Sequence, residues 1–274
     1  MNTLKHFCFS ATLAVLLVGI CTFRMVAQPR IVAHRGYWQT EGSAPNSIAA
    51  LQQAHRAGVW GSECDVHITR DGVVVIHHDA SIDGRRIEQT DYRDLQHCRL
   101  QNGETLPTLT QYLQAAAELH NLQLVIEVKP HRLPHNESRC VKAVTEAVNA
   151  AGLTERVDYL SFSLHACNEL LRHDANARVF YLEGDLPPTD ARLRGMAGID
   201  YPARRLLAHP EWIAQAHQLG MKVNAWTVNR KRKMRRLAAL QVDYLTTDRP
   251  AEALLVVGQK PASNCPNLLH AVCE

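Results

Sequence analysis

The chain has 274 residues, 46% of them hydrophobic and 21% charged, with a formal net charge of +3. That length allows one large domain or two ordinary ones, and the hydrophobic share supports a sizeable core and excludes wholesale disorder. The near balance of charge gives no footing for nucleic acid or a strongly acidic partner.

Residues 1–27 carry Lys5 as the only charge before an apolar run over 7–23, and Ala27 offers a small residue at a cleavage point. This is the layout of a secretory signal peptide, so the expected product is exported, periplasmic or extracellular. Met25 is a poor residue three positions before the cut, which keeps a retained membrane anchor as the alternative. Ile20 is too bulky before Cys21 for a lipoprotein site. Cleavage removes Lys5 and Arg24 from the 30 basic residues, leaving 28 against 27 acidic ones. Cys64, Cys98, Cys140, Cys167, Cys265 and Cys273 remain in no zinc spacing, and Cys265 with Cys273 is the pair to test for a disulfide.

The first strand is expected over 30–35, RIVAHR, with His34 and Arg35 at its end, and a helix runs from Asn46 to Gly58. Residues 61–79, GSECDVHITRDGVVVIHHD, read as a strand, a two-residue Asp71-Gly72 turn and a returning strand. That register sets Asp65 opposite His78 and Val66 opposite His77. Glu63, Asp65 and His78 then share one face, and Cys64, Val66 and His77 the other. Residues 80–107 are irregular and polar. Further strands are expected over 122–129, 157–163, 178–182, 199–201, 222–228 and 243–247. Helices are expected near 107–120, 137–151, 165–174, 189–197, 210–219, 231–240 and 251–257.

Strands separated by helices argue for a parallel sheet with helices outside. An antiparallel return arm is no ordinary barrel strand, and setting it aside leaves eight. The expected fold is therefore a (β/α)₈ TIM barrel with an antiparallel hairpin extension on its second strand, a single domain over 28–258 with a tail over 259–274. A doubly wound open sheet is the alternative, but the first strand lacks a Gly-rich dinucleotide turn.

In such a barrel the active site lies at the C-terminal ends of the strands. Those ends deliver His34 and Arg35, then Glu63 and Asp65 with His78 folded back over the mouth, then Glu127 and Lys129. Later ends add Ser161 or Ser163, Trp226, Thr247 and Asp248. Packed together, Glu63, Asp65 and Glu127 repel one another unless protonated or bridged, and three oxygen ligands suit one hard divalent cation, Mg²⁺ or Ca²⁺. His34 and His78 suit acid/base work near neutral pH, and Arg35 and Lys129 suit phosphate oxygens. Together these groups describe hydrolysis of a small phosphate ester.

AHRG at 33–36, ECDVHITRDG at 63–72, HD at 78–79, LPTL at 106–109, EVK at 127–129, AWTVN at 225–229 and TTDRP at 246–250 resemble the glycerophosphodiester phosphodiesterases. The likeness spans nearly the whole mature chain, in order. It implies a TIM barrel in which His34 and His78 are the acid/base pair, Glu63, Asp65 and Glu127 hold a divalent metal, and Arg35 and Lys129 contact the phosphate. Trp226 reads either as barrel core or, by this likeness, as a substrate-facing wall. It also implies cleavage of substrates such as glycerophosphocholine to glycerol 3-phosphate and an alcohol. The sequence departs from the family's Pro-Glu-Asn-Thr motif, which here reads Ala44-Pro45-Asn46-Ser47, so Pro45 stands where a glutamate is usual. Residues 80–106 are also too short for a large capping domain.

Two rival readings are a phospholipase C- or D-like cleavage of intact phospholipid and a non-catalytic barrel that binds phosphorylated ligands. His77 is expected to pack outside the site, and His67 and His55 to be surface or packing residues. The basic run Arg230 to Arg236 reads as a solvated helix face, with peripheral lipid contact as the alternative. The oligomeric state is not legible.

Overall fold

Eight short apolar runs become the parallel strands of a closed barrel in the computed structural model, which describes residues 28–262. They are β1 (Arg30–Ala33), β2 (Gly61–Ile68), β3 (Gln123–Val128), β4 (Val157–Ser161), β5 (Val179–Tyr181), β6 (Gly198–Pro202), β7 (Lys222–Trp226) and β8 (Tyr244–Thr247). Each pairs in parallel with its neighbour in sequence, and β1 closes the ring by pairing with both β8 and β2. Residues 1–27 and the pair Cys265 and Cys273 lie outside the described residues. Cys64, Cys98, Cys140 and Cys167 are free and buried.

Alternate residues on each strand serve two cores, as buried parallel strands require. Val32, Val125, Leu160 and Phe180 point into the barrel. Ile31, Ala33, Cys64, Val66 and Ile126 point outward against the surrounding helices. The helices begin where the sequence supplies caps. Ser47 accepts the Ala50 N–H at the head of Ile48–Ala57, and Thr108 with Gln111 forms a reciprocal capping box at the head of Leu109–Ala117. The expected elements are present, with ends shifted by a few residues. The helix Ala203–Ala208 was not foreseen.

The hairpin differs from the sequence expectation in one respect that matters. The return arm, Val74–Ile76, pairs Val66 with Ile76, His67 with Val75 and Ile68 with Val74. The loop therefore holds Arg70, Asp71 and Gly72, three residues and not two, closed by the Thr69 N–H donating to Val73 O at 2.9 Å. Gly72 at φ +94° takes the left-handed position that this longer turn needs. The register slips by one, so the residue that meets Asp65 across the ladder is His77, whose N–H donates to Asp65 O at 3.0 Å.

Residues 80–107 are also more than a polar loop. Val75, Ile82, Ile87, Leu95, Cys98 and Leu106 form a small second core there. It is built on a two-residue hairpin, Ser81–Ile82 with Arg85–Arg86, and the short helix Tyr92–Leu95. The Ile76 N–H donates to Pro107 O, which pins the return arm on its far side.

Candidate active site

The chain leaves β1 through a sharp turn. Arg35 sits at φ +56° and Gly36 at +76°, and a Cβ on Gly36 would come within 2.7 Å of Ala50, so both conformation and space demand glycine there. The turn aims the Arg35 N–H at Glu63 Oε2, 2.7 Å away. His34 and Arg35 thus lie just beyond the strand and not within it, as the sequence reading had them.

Glu63 and Asp65 alternate inward on β2, and Glu127 stands beside Asp65 in the register of β3. One oxygen from each of the three carboxylates falls within 4.8 Å of the others. Lys129 Nζ lies 2.7 Å from Glu127 Oε1 and 3.3 Å from Asp65 Oδ1, and Arg35 Nε lies 3.6 Å from Asp65 Oδ2. Burial, then the charges on Asp65 and Glu127, push the Glu63 carboxyl well above its usual range. Burial and Asp65 push Glu127 up to about 7, against the pull of Lys129. Burial also works against ionisation of Asp65, but Lys129, an Asn46 hydrogen bond, His78 and Arg35 outweigh it and hold that carboxyl low. Glu63 Oε1 is buried without a hydrogen-bond partner. Three convergent carboxylates, with Glu63 Oε1 left unpartnered beside them, fit a hard divalent cation, which would relieve their mutual repulsion.

His34 Nδ1 lies 2.7 Å from Asp248 Oδ1. The carboxylate accepts, so Nδ1 carries the proton and Nε2 is left for the cavity. Asp248 is in turn held by Asn229 Nδ2 at 2.5 Å and Trp38 Nε1 at 3.3 Å. His78 lines the same cavity, although the register that put it opposite Asp65 was wrong. The ladder ends at Ile76, so the strict alternation between faces no longer applies at residues 77 and 78. His78 Nδ1 lies 2.7 Å from Asp79 Oδ1. Burial pulls the His78 imidazole below its ordinary value, with Asp65 opposing. His77 lines a neighbouring groove of about 380 Å³ and not the cavity.

The cavity holds about 270 Å³ at the mouth of the barrel. Its lining brings together His34, Arg35, Glu63, His78, Glu127, Lys129 and Trp226, with Asp65 one residue behind in contact with both cations. All eight sequence candidates therefore meet at one place. Leu160, Phe162 and Leu182 form an apolar wall, and Phe162 packs edge-on against Trp226 at 5.4 Å between ring centres. A larger cleft of about 530 Å³ lies at the other end of the barrel, around Arg30, Lys222 and Asp243, away from these groups. Ser161 and Ser163 do not join the site. Ser161 Oγ donates to Val128 O, and Ser163 Oγ donates to Glu137.

Sequence reasoning missed four contributors. Asn46, left-handed at φ +66°, donates Nδ2 to Asp65 Oδ2 at 2.8 Å and accepts the Asp65 N–H at 3.1 Å. Asp248 was noted only as polar, with no role in orienting His34. His67 is fully buried, and its Nε2–H donates to His78 O at 3.3 Å, which supports the loop carrying His78. Asp200 lines the cavity floor and was not considered at all. Its signal was faint: an acid inside an apolar strand, GIDYP.

A model of the glycerophosphoryl diester phosphodiesterase family matches residues 34–252. A glycerophosphodiester phosphodiesterase of Caldanaerobacter subterraneus is 27% identical over 243 residues, covering 83% of this chain and 97% of the relative. A crystal structure of a glycerophosphodiester phosphodiesterase from Parabacteroides distasonis shares 40% identity and a TM-score of 0.83, covering 84% of this chain and 97% of that one. An Oleispira antarctica phosphodiesterase, solved with the product sn-glycerol-3-phosphate, shares the fold at 22% identity and a TM-score of 0.74, over 84% of this chain and 97% of that one.

Proposed function

The chain belongs to the glycerophosphoryl diester phosphodiesterase family and is a hydrolase of that type, and from that premise we propose metal-dependent cleavage of glycerophosphodiesters with His34 and His78 as the acid/base pair. The observation that carries this reading is the meeting of two imidazoles, three carboxylates, Arg35 and Lys129 around one cavity. Glu63, Asp65 and Glu127 would hold the cation, Mg²⁺ or Ca²⁺, which when bound neutralises charge on the phosphoryl oxygens.

The rest of the work belongs to the protein's own groups. Arg35 and Lys129 draw the anionic diester into the mouth and fix its phosphate. One imidazole takes the proton from the attacking hydroxyl as the new P–O bond forms. The other gives a proton to the departing alkoxide as the old P–O bond breaks, so the two rings exchange protonation states over the cycle. The Asp248 contact keeps the His34 tautomer that leaves Nε2 facing the reaction. The product expected is glycerol 3-phosphate with a free alcohol, the same phosphate ester held by the Oleispira relative.

Export is proposed from the arrangement of residues 1–27, and cell fractionation with N-terminal sequencing of the mature protein tests it. The activity is tested by incubating the protein with glycerophosphocholine and, separately, with phosphatidylcholine vesicles. Glycerol 3-phosphate released from the first, with the vesicles untouched, is expected. Cleavage of the vesicles alone would replace this reading with the phospholipase one.

A further inference from the structure

Residues 230–236, Arg-Lys-Arg-Lys-Met-Arg-Arg, hold six of the chain's 30 basic residues and none of its 27 acidic ones, which leaves 24 basic against 27 acidic elsewhere. They head the helix Lys231–Ala239, whose Met234 and Leu237 are buried against the barrel. At about 3.6 residues per turn, Arg232, Arg235 and Arg236 form one stripe on the opposite face, and all three are exposed. Like charges three and four apart on a helix repel one another. The first turn has no acid and no side-chain cap, so its cations also oppose the helix dipole. Nothing in the hydrolytic machinery described above makes use of this arrangement, and the fold alone would be better off without it.

The neighbouring helices extend the patch and do not neutralise it. The helix Pro250–Val256 packs against it and carries one acid, Glu252, which Lys231 and Arg249 share at 3.2 and 3.7 Å. The helix Ala203–Ala208 also packs against it and adds exposed Arg204 and Arg205 with no acid. Among the described residues, no carboxylate pairs with Arg230, Arg232, Arg235 or Arg236. The patch lies beside the mouth of the barrel. Trp226 and Thr227 line the cavity just before Arg230, and Arg249 directly follows Asp248, which holds His34.

We propose that the face built on Arg232, Arg235 and Arg236 docks the enzyme on an anionic lipid bilayer, with the mouth of the barrel beside the membrane surface. Guanidinium forks suit the phosphate oxygens of lipid headgroups, and each Arg or Lys held close to a negative bilayer adds to binding. A plane of anions also relieves the repulsion along the stripe. A nucleic acid fits less well. The helix offers no aromatic ring on which a base could stack, and the acidic excess over the rest of the chain gives a strand no basic path beyond it.

The test sediments the intact protein with phosphatidylcholine vesicles containing roughly one-third phosphatidylglycerol, and with vesicles of phosphatidylcholine alone. The neutral vesicles measure any contribution from the apolar run over 7–23. Wild type should partition onto the anionic vesicles at least about 10-fold more strongly, and should be released as NaCl rises from about 0.05 M to about 0.5 M. Equal partitioning onto the two kinds of vesicle overturns the proposal. Arg232→Glu/Arg235→Glu/Arg236→Glu should weaken binding to the anionic vesicles at least about 30-fold, with the circular dichroism spectrum unchanged. The same reversal at Arg56, Arg192 and Arg194, exposed elsewhere on the surface, should cost no more than about 3-fold. Equal losses in the two triple variants would show a response to net charge alone and overturn the patch. If the first variant fails to fold, Arg232→Gln/Arg236→Gln carries the same comparison, with a loss of about 10-fold expected and no loss overturning the proposal. An oligonucleotide bound more tightly than the anionic vesicles at equal ionic strength overturns the choice of partner. None of these readouts depends on turnover.

Discussion

His34 and His78 each place Nδ1 2.7 Å from a carboxylate oxygen, but the two carboxylates live in different surroundings. Asp248 is 18% exposed and is gripped by Asn229 and Trp38, so the orientation of His34 is set by a chain of contacts reaching from β1 to the end of β8. Asp79 is 74% exposed and is the next residue in sequence, so its contact with His78 forms on the surface where water competes. The backbone holds His78 instead: His67 grips its carbonyl from β2, and Ile76 is pinned to Pro107. Equal distances thus carry unequal weight. One imidazole is positioned by its carboxylate, the other by the loop that bears it.

Substitutions at the two acids break the comparison if it is wrong. Asp248→Asn should cost about 10- to 100-fold in kcat, the range for loss of a group that fixes a functional imidazole. Asp79→Asn should cost no more than about 3-fold, as for an exposed pair. Comparable losses in the two variants would show that surface contact orients His78 after all. NMR titration sharpens the point. Burial already holds the His78 pKa below its ordinary value, and the Asp79 contact raises it. Removing that contact should therefore move the His78 midpoint further down in Asp79→Asn. A midpoint unmoved or raised would contradict the assignment.

The acidic wall responds to pH in the opposite sense to a paired surface carboxylate. Glu127 is pushed up to about 7 from an ordinary 4.5. Between those values the metal-free fold holds a proton that the unfolded chain has lost. Its contribution to stability is therefore present below about pH 4.5 and falls as pH rises through 7. A divalent cation held by the three carboxylates would compete with that proton. The rise in Tm on adding Mg²⁺ or Ca²⁺ should accordingly be larger at pH 8 than at pH 5.5, by differential scanning fluorimetry. Equal shifts at both pH values would separate Glu127 from the ion.

The barrel was legible because its strands are apolar runs with inward acids spaced by two, and a slip of one residue at a strand end does not change which face is buried. The hairpin shows where that legibility stops. Counting two loop residues gave the wrong register, because a Gly at +94° allows a third. His78 still reached the cavity, but through a backbone that had left the ladder, which no alternation rule describes. Asn46 and Asp248 were opaque for another reason. Their partners lie 19 and 214 residues away, and long-range side-chain contacts leave no periodic trace. Asp200 was hidden by its strand, where one acid among apolar residues gives no sign of whether it is paired.

The most direct test of the central claim is turnover of glycerophosphocholine by wild type and His34→Ala, each with excess chelator and after adding back Mg²⁺ or Ca²⁺. Wild type should lose activity in chelator and regain it with the ion, while His34→Ala should stay about 10³-fold slower even with the ion restored. Full activity in chelator, or in His34→Ala, would contradict the account.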